Sequence, residues 1–374
     1  MNKLIFGNLI HRPLRSAISA FAVAIEVVMI LSVVAIFFGI LNSSRTQQSG
    51  IGMDMMVRSG SGGVLSNLDS ASSDIRIGEV LRKLPHIQVV APVNIKLTVG
   101  STVENIFGID FATFNALRPF EFIDGGPFQG PDDAIIDDFE ASRGKRTNVG
   151  DTIKILNHQF RVAGIFKHGK GSRKFIPITT MDQLTGTPGM AAMFYLRTDD
   201  AASDEAKKAI QEQVRQEILS ADGMSDYSVQ TLEESLSLLT PEHIPAFTIA
   251  LDVIITIAIV IGFLVIFQSM YTAVMERTRE IGILKSMGAG PITIVSMVLR
   301  ETGLLAVVGI VFGVAFTYLL RYFLHARFPT MSFQLTLAWV FKAVGIALLG
   351  ALCGALYPSL KAARKDPIDA LSYE

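Results

Sequence analysis

Four stretches of this chain are apolar for long enough to cross a membrane. Residues 17–41 carry one charge, Glu26, and residues 247–271 carry only Asp252; residues 303–320 and 343–360 carry none. An apolar helix of roughly 20 residues, rising about 1.5 Å per residue, covers a hydrocarbon core of about 30 Å, so each stretch predicts a spanning helix. Between the first two lies a long, largely polar segment with a different pattern. Residues 89–99 and 103–109 read as strands separated by Gly100-Ser101-Thr102, and residues 153–156 and 160–166 as a hairpin around Asn157-His158-Gln159. Residues 193–196 form another short apolar run. Residues 200–220 alternate at helical spacing, with Ala206, Ile210, Val214 and Ile218 on one face. The predicted fold is an α-helical four-span membrane domain with a large mixed α+β extracytoplasmic domain inserted between spans 1 and 2.

Lys3, Arg12 and Arg15 ahead of the first run would also suit a cleaved signal peptide. The run is longer than the 7 to 15 residues or so of a secretory core and leads into Leu41-Asn42-Ser43-Ser44-Arg45, which favours an uncleaved anchor. Orientation follows from basic residues near the spans. Lys3, Arg12 and Arg15, then Arg277, Arg279 and Lys285, then Lys361, Arg364 and Lys365 share one side, against Arg321 and Arg327 on the other. Both termini are expected in the cytoplasm of a bacterial cell, with the protein in its inner membrane. The expected layout is a cytoplasmic segment 1–16, spans 17–41, 245–274, 292–320 and 335–358, and an extracytoplasmic domain 42–244. A cytoplasmic elbow 275–291, an outer loop 321–334 and a cytoplasmic tail 359–374 complete it.

Composition agrees with this: 50% of the 374 residues are hydrophobic and the mean hydropathy is +0.43. The net charge of −1 points to no partner, and the basic residues form no stripe suited to nucleic acid. The one cysteine, Cys353, falls in the fourth span, so the inserted domain has no disulfide and no cysteine metal site.

Catalytic chemistry finds little support. Gly164, Gly169 and Lys170 imitate the start of a phosphate-binding loop, yet Gly171 stands where a magnesium-binding hydroxyl belongs and no helix follows. A flexible basic loop is the expectation there, and no nucleotide-binding module is expected on this chain. The six histidines form neither H-x-x-x-H nor H-E-x-x-H, and no G-x-S-x-G occurs. No metal site is expected. The pairs Asp132-Asp133 and Asp137-Asp138 read as solvated turn residues rather than as an acid and a base.

The most informative residues follow the second span. In Glu276-Arg277-Thr278-Arg279-Glu280-Ile281-Gly282-Ile283-Leu284-Lys285-Ser286-Met287-Gly288-Ala289, Arg277 with Glu280 and Glu276 with Arg279 are opposite charges three apart that support an exposed helix. Gly288 suits a left-handed helix stop and Pro291 the first turn of the next helix. A helix unbroken from 247 to 287 would be roughly 60 Å long, about twice the hydrocarbon thickness. The alternative is an ordinary charged loop that only orients the protein.

The pattern E-R-T-R-E-I-G-I-L-K-x-x-G-A at 276–289, continuing through Arg300-Glu301 to Gly309 and Gly313, resembles the MacB-like and FtsX-like permeases of ABC transporters. The closing Tyr357-Pro358-Ser359-Leu360-Lys361-Ala362-Ala363-Arg364-Lys365-Asp366-Pro367-Ile368-Asp369-Ala370-Leu371 resembles the same family, with Ser359 in place of its usual alanine. Weaker echoes occur in residues 8–15, 149–153 and 160–165. The resemblance implies a non-catalytic permease subunit, dimeric, working with a cytoplasmic ABC ATPase subunit that carries ATP and Mg, while this chain binds no cofactor. It implies that Glu276, Arg277, Arg279, Glu280, Gly282, Lys285, Gly288 and Pro291 form the surface coupled to that ATPase. Because only about 16 residues precede span 1, the ATPase is expected on another chain. An extracytoplasmic adaptor or enzyme and the membrane lipids are the other expected partners.

Glu26 is the strongest anomaly, since a charge near the bilayer middle is costly and by default functional. It lies about 14 Å along the helix from the start of span 1, and Arg300, followed by Glu301, lies at a comparable distance from Pro291. An ion pair of Glu26 with Arg300 and a substrate-facing or protonated role are both open. Asp252 and Lys342 sit nearer the outer ends of their spans and are expected to reach the interface. Two functions fit: ATP-driven export or extraction of a hydrophobic or amphiphilic substrate, and an FtsX-like signal transmitter that regulates an outside enzyme without transport.

Overall fold

The computed structural model describes residues 13–60, 73–99, 103–144, 146–240, 243, 245–327 and 332–364. Lys3, Arg12, the Gly100-Ser101-Thr102 turn, residues 61–63 and the closing stretch 365–371 lie outside them. The chain divides into two compact units, one made of residues 1–40 with 245–374, the other of residues 41–244.

Four helices among the described residues are long and apolar enough to span a membrane. They are α1 (Pro13–Ile51), α2 (Pro245–Glu276), α4 (Pro291–Arg327) and α5 (Leu337–Arg364), with the short α3 (Thr278–Ser286) between α2 and α4. The order is one spanning helix, the inserted domain, then three. Where lipid tails are as apolar as side chains, small residues let helices approach and pack. Gly309 and Gly313 of α4 do this against α1: a Cβ at Gly309 would stand 2.8 Å from Val23 Cβ, and one at Gly313 would stand 2.8 Å from the Ala24 carbonyl oxygen. Gly354 of α5 meets α2 in the same way, 2.9 Å from the Phe263 carbonyl oxygen. Val23, Val27, Ile266, Ala306, Ala347 and Ala351 fill the centre of the bundle.

The inserted unit is built on a ten-stranded mixed sheet. Its strands are β1 (Met55–Ser59), β2 (Ile87–Val99), β3 (Val103–Ile109), β4 (Phe122–Gly125), β5 (Asp133–Asp137), β6 (Thr152–Ile155), β7 (His158–Phe166), β8 (Lys174–Pro177), β9 (Met193–Thr198) and β10 (Tyr227–Thr231). Their order is β10-β1-β9-β2-β3-β8-β5-β7-β4, with β6 also on β7. The β2–β3 hairpin closes at Val99 opposite Val103. In the β6–β7 hairpin Ile155 faces His158, so the turn is Leu156-Asn157 rather than the three residues from Asn157. Both turn residues have positive φ, 50° and 65°, the geometry a two-residue hairpin loop needs. The amphipathic helix Asp204–Ser220 is capped by the Ser203 hydroxyl and buries Val214 and Ile218 against β1, β2 and β9 residues.

The phosphate-loop imitation is not a flexible loop. Lys170 is 6% exposed, donates to the Arg118 carbonyl and sits 4.4 Å from the centre of the Phe120 ring. Gly171 donates its N–H to the Gln47 carbonyl at 2.8 Å, and the Gly169 carbonyl occupies the space a side chain at Gly50 would need. The glycines serve close backbone approach to the end of α1, with Gly169 and Gly171 both at positive φ. Burial pushes the Lys170 ammonium down to about 8. The Asp pairs also differ from solvated turns. Asp133 is buried, accepts from the Gln129 and Gly130 N–H groups at 2.7 and 2.8 Å, and is held by Arg161. Asp137 is 1% exposed and accepts the Glu140 N–H at 2.7 Å. Both fix loop geometry.

Candidate functional site

At the end of α2 the chain makes an elbow whose parts follow from residue type. The helix does not run unbroken to Met287: Arg277 leaves helical geometry (φ −104°, ψ 17°) and α3 starts anew at Thr278. The break coincides with a contact that Arg277 makes to another helix. Rather than pairing with Glu280 on its own helix, its guanidinium donates to both oxygens of Glu301 on α4, at 3.1 and 3.0 Å. The two side chains are only 11% and 8% exposed, so this pair pins the break to the next span.

The C-terminus of α3 is closed by Gly288 at φ 96°. Gly288 N–H reaches the Lys285 carbonyl and Ala289 N–H the Leu284 carbonyl, both at 3.0 Å, the paired bonds of a glycine-terminated helix. Pro291 then opens α4, where its missing N–H costs nothing. The inner face of α3 is anchored. Ile281 and Leu284 pack on Val274, Ile294, Ala362 and Ala363, Gly282 is buried, and Lys285 Nζ donates to the Ala363 carbonyl at 2.8 Å. Its outer face is left open: Arg279 and Glu280 are exposed, as are Ile283 (43%), Met287 (71%) and, at the start of α4, Ile292 (84%). Glu276 is exposed at the end of α2. A firmly seated short helix that presents charge and bare apolar side chains together has the character of a docking surface.

The predicted Glu26–Arg300 pair is not formed. Glu26 is 3% exposed and neither oxygen has a hydrogen-bond partner among the described residues, while Arg300 is exposed. The two residues differ in height: Gly309 and Gly313 of α4 lie against residues 20–23 and 24–27 of α1, so Glu26 is level with the turn at Gly313, about 13 residues or roughly 20 Å beyond Arg300. Arg300 and Glu301 point about 100° apart, and it is Glu301 that turns inward, to Arg277. The Glu26 carboxyl group instead fills the space a side chain at Gly262 would occupy, with Gly350 alongside. Arg277 as the inward cation was obscured in the sequence by its plausible helical partner Glu280. Lys342 sits 4.6 Å from the centre of the Trp339 ring. Among the described residues, no group of three or more His, Cys, Asp or Glu side chains could hold a metal ion.

One apolar span, a mixed α/β domain, and three further spans with an anchored elbow define a four-span membrane protein with one large inserted domain. The chain belongs to the MacB-like, FtsX-like permease family: residues 16–213 match the MacB-like periplasmic core domain and residues 253–367 the FtsX-like permease C-terminal domain. It is similar to the uncharacterized ABC transporter permease MJ1507 of Methanocaldococcus jannaschii, 26% identical over 62% of this chain and 59% of that one. It is also similar to the macrolide export ATP-binding/permease protein MacB of Campylobacter jejuni, 25% identical over 100% of this chain and 61% of that protein. The chain thus spans about 60% of the length of these relatives. A solved structure of the periplasmic region of MacB from Actinobacillus actinomycetemcomitans aligns with 51% of this chain and 94% of its own, at 18% identity and a TM-score of 0.38.

Proposed function

We propose that this permease couples ATP hydrolysis on a separate cytoplasmic ATPase subunit to export or extraction of a hydrophobic or amphiphilic substrate. Movement of the inserted domain is the output, two copies of the permease work together, and ATP with Mg is bound by the partner. The observation that carries this reading is the elbow: α3 is fixed to α4 and α5 from beneath while Arg279, Glu280, Ile283 and Met287 face outward. A push on that face is passed to three spans at once. The basic residues Arg277, Arg279, Lys285, Lys361 and Arg364 around the elbow support its placement in the cytoplasm of a cell whose inner membrane holds the protein. An adaptor or enzyme outside the membrane would receive the movement of the inserted domain.

The test is reconstitution with an ABC ATPase subunit that co-purifies with this chain. Glu280→Arg combined with Met287→Asp is expected to cut permease-stimulated ATP hydrolysis at least tenfold while leaving the amount of protein in the membrane unchanged. Unaltered hydrolysis in that variant would remove the elbow from the coupling path. If vesicles move no hydrophobic compound and an outside enzyme is switched on instead, the transmitter reading replaces export.

A further inference from the structure

Glu26 is the one charge in the first apolar run, and the helices around it are shaped to its carboxyl group. Gly262 is the single glycine of α2, and a Cβ placed there would overlap Glu26 Oε2; a Cβ at Gly350 of α5 would stand 3.7 Å from Oε1. A glycine inside a helix costs about 0.5 to 1 kcal/mol relative to alanine, so its use at this one level of α2 answers to the group it admits. A second polar contact fixes the register of the same seam. Seven positions toward the elbow end on both helices, the hydroxyl of Ser19 on α1 meets that of Ser269 on α2.

The packed helices offer Glu26 no counter-charge. Both of its oxygens are sealed from solvent and lack a hydrogen-bond partner among the described residues. On α1 no other charge lies within residues 17–41. On α2 the nearest charged side chain to Gly262 is Asp252, ten positions away and exposed, and the Tyr271 hydroxyl accepts from Lys361. On α5 Lys342 is exposed and lies over the Trp339 ring, while Cys353 and Tyr357 are exposed. On α4, beyond Gly313, Tyr318 and Arg321 are exposed, and Glu301 is held by Arg277.

Size and charge separate the occupants that could answer this group. A metal ion takes several ligands at once, and among the described residues no three His, Cys, Asp or Glu side chains come together. A cationic ligand needs oxygens it can reach, and these are covered by helix backbone. An ionised carboxylate held away from water with no donor or cation is costly in a bilayer, and a group so placed is neutralised instead. A proton is the occupant that fits.

We propose that Glu26 is a proton-binding site on which the bundle closes. The helices α2 and α5 pack on α1 with Glu26 as the neutral acid, and loss of the Oε proton to water moves Gly262 and Gly350 off the carboxylate so that water can reach it. No other bond changes. The same two helices lead into the elbow, α2 by its end and α5 through the Ala363 carbonyl that accepts from Lys285, so the proton and any movement of the elbow act on shared elements. The site depends only on the bundle being closed in a bilayer, and it stands whether or not the elbow meets an ATPase.

The test uses the full-length permease alone in phosphatidylcholine vesicles, so that a failure of coupling does not enter. Infrared absorption separates the carbonyl stretch of a neutral carboxylic acid from the stretches of a carboxylate. At neutral pH the spectrum of the wild type minus that of Glu26→Gln is expected to show the neutral-acid band; a carboxylate signal in its place overturns the proposal. Unlocking is read as hydrogen exchange of the α2 amides around Gly262, taken as the ratio of wild type to Glu26→Gln so that the intrinsic effect of pH cancels. That ratio is expected to rise severalfold between pH 6 and 9, by at most about tenfold per unit, the limit for release of one proton. A flat ratio across that range overturns the link between proton and closure. Gly262→Ala is expected to speed exchange severalfold when Glu26 is present and to have little effect beside Glu26→Ala, where the space has been vacated. Equal effects in both backgrounds show that Gly262 is not shaped to the carboxyl group, and the proposal fails.

Discussion

At the scale of single residues, Arg277 carries two tasks: it interrupts a helix and neutralises a buried carboxylate. Removing one partner of a buried pair leaves the other charge without compensation, at a typical cost of about 3 to 5 kcal/mol. Arg277→Ala is therefore expected to lower the melting temperature of the permease in nanodiscs markedly. Arg277→Ala with Glu301→Gln should recover most of the loss, because nothing charged remains buried. If the double variant melts no higher than the single, Glu301 is not the residue that makes Arg277 necessary.

Asp137 supplies a second residue-level test. Burial pushes its carboxyl from an ordinary 3.8 up to about 7, so the folded domain holds this proton more tightly than the unfolded chain does. Its contribution to stability is complete below about pH 4 and is lost as pH rises through about 7. Asp137→Asn keeps a group able to accept the Glu140 N–H and removes the titration. The wild type should lose stability relative to Asp137→Asn between pH 5 and 8, with a slope approaching 1.4 kcal/mol per pH unit at most. Parallel melting curves for the two proteins across that range would show that Asp137 stays ionised.

At the scale of elements, the bundle rests on glycines placed where two helices touch. Gly309→Leu would drive a side chain into Val23 and the α1 backbone, and overpacking of this kind typically costs 1 to 3 kcal/mol. The expected result is a lower melting temperature in nanodiscs, whereas Gly345→Leu should be silent, since nothing lies within 4 Å of a Cβ at Gly345. These close approaches explain why the third span carries Gly309 and Gly313 four apart. In the sequence the two glycines entered only through the family resemblance; that they receive α1 was shown by the packing. The elbow divides similarly. Gly288 and Pro291 act through their own backbones and could be read as punctuation, while the pairing of Arg277 is with a carboxylate 24 positions later and could not be.

At the scale of the whole molecule, the inserted domain separates one span from the other three, and both the coupling proposal and the placement of the domain outside rest on the sidedness of the chain. Replacing Cys353 by Ala and introducing a single cysteine at Met287 or Ser220, both exposed, gives a direct test. In intact cells a membrane-impermeant thiol reagent should label Ser220→Cys and leave Met287→Cys unmodified until the membrane is opened. The reverse pattern would invert the orientation and place the elbow beyond reach of a cytoplasmic ATPase.

Local patterns decided the outline: four apolar runs long enough to span, a polar insertion with strand alternation, the β2–β3 hairpin, the Asp204–Ser220 helix and the glycine stop of α3. Each depends on the chemistry of residues close together in the chain, because helix length, side-chain period and glycine φ are local quantities. The order of the sheet, with parallel partners β3–β8 and β5–β7 far apart in sequence, was decided only by tertiary packing. So were the burial of Lys170 among phenylalanines, the solitary position of Glu26 between Gly262 and Gly350, and the choice of Arg277 over Arg300 as the inward cation. In each case the deciding quantity is where a side chain stands relative to a distant neighbour, in height along the bundle or in direction about its helix or strand axis, which sequence spacing along one element leaves undetermined.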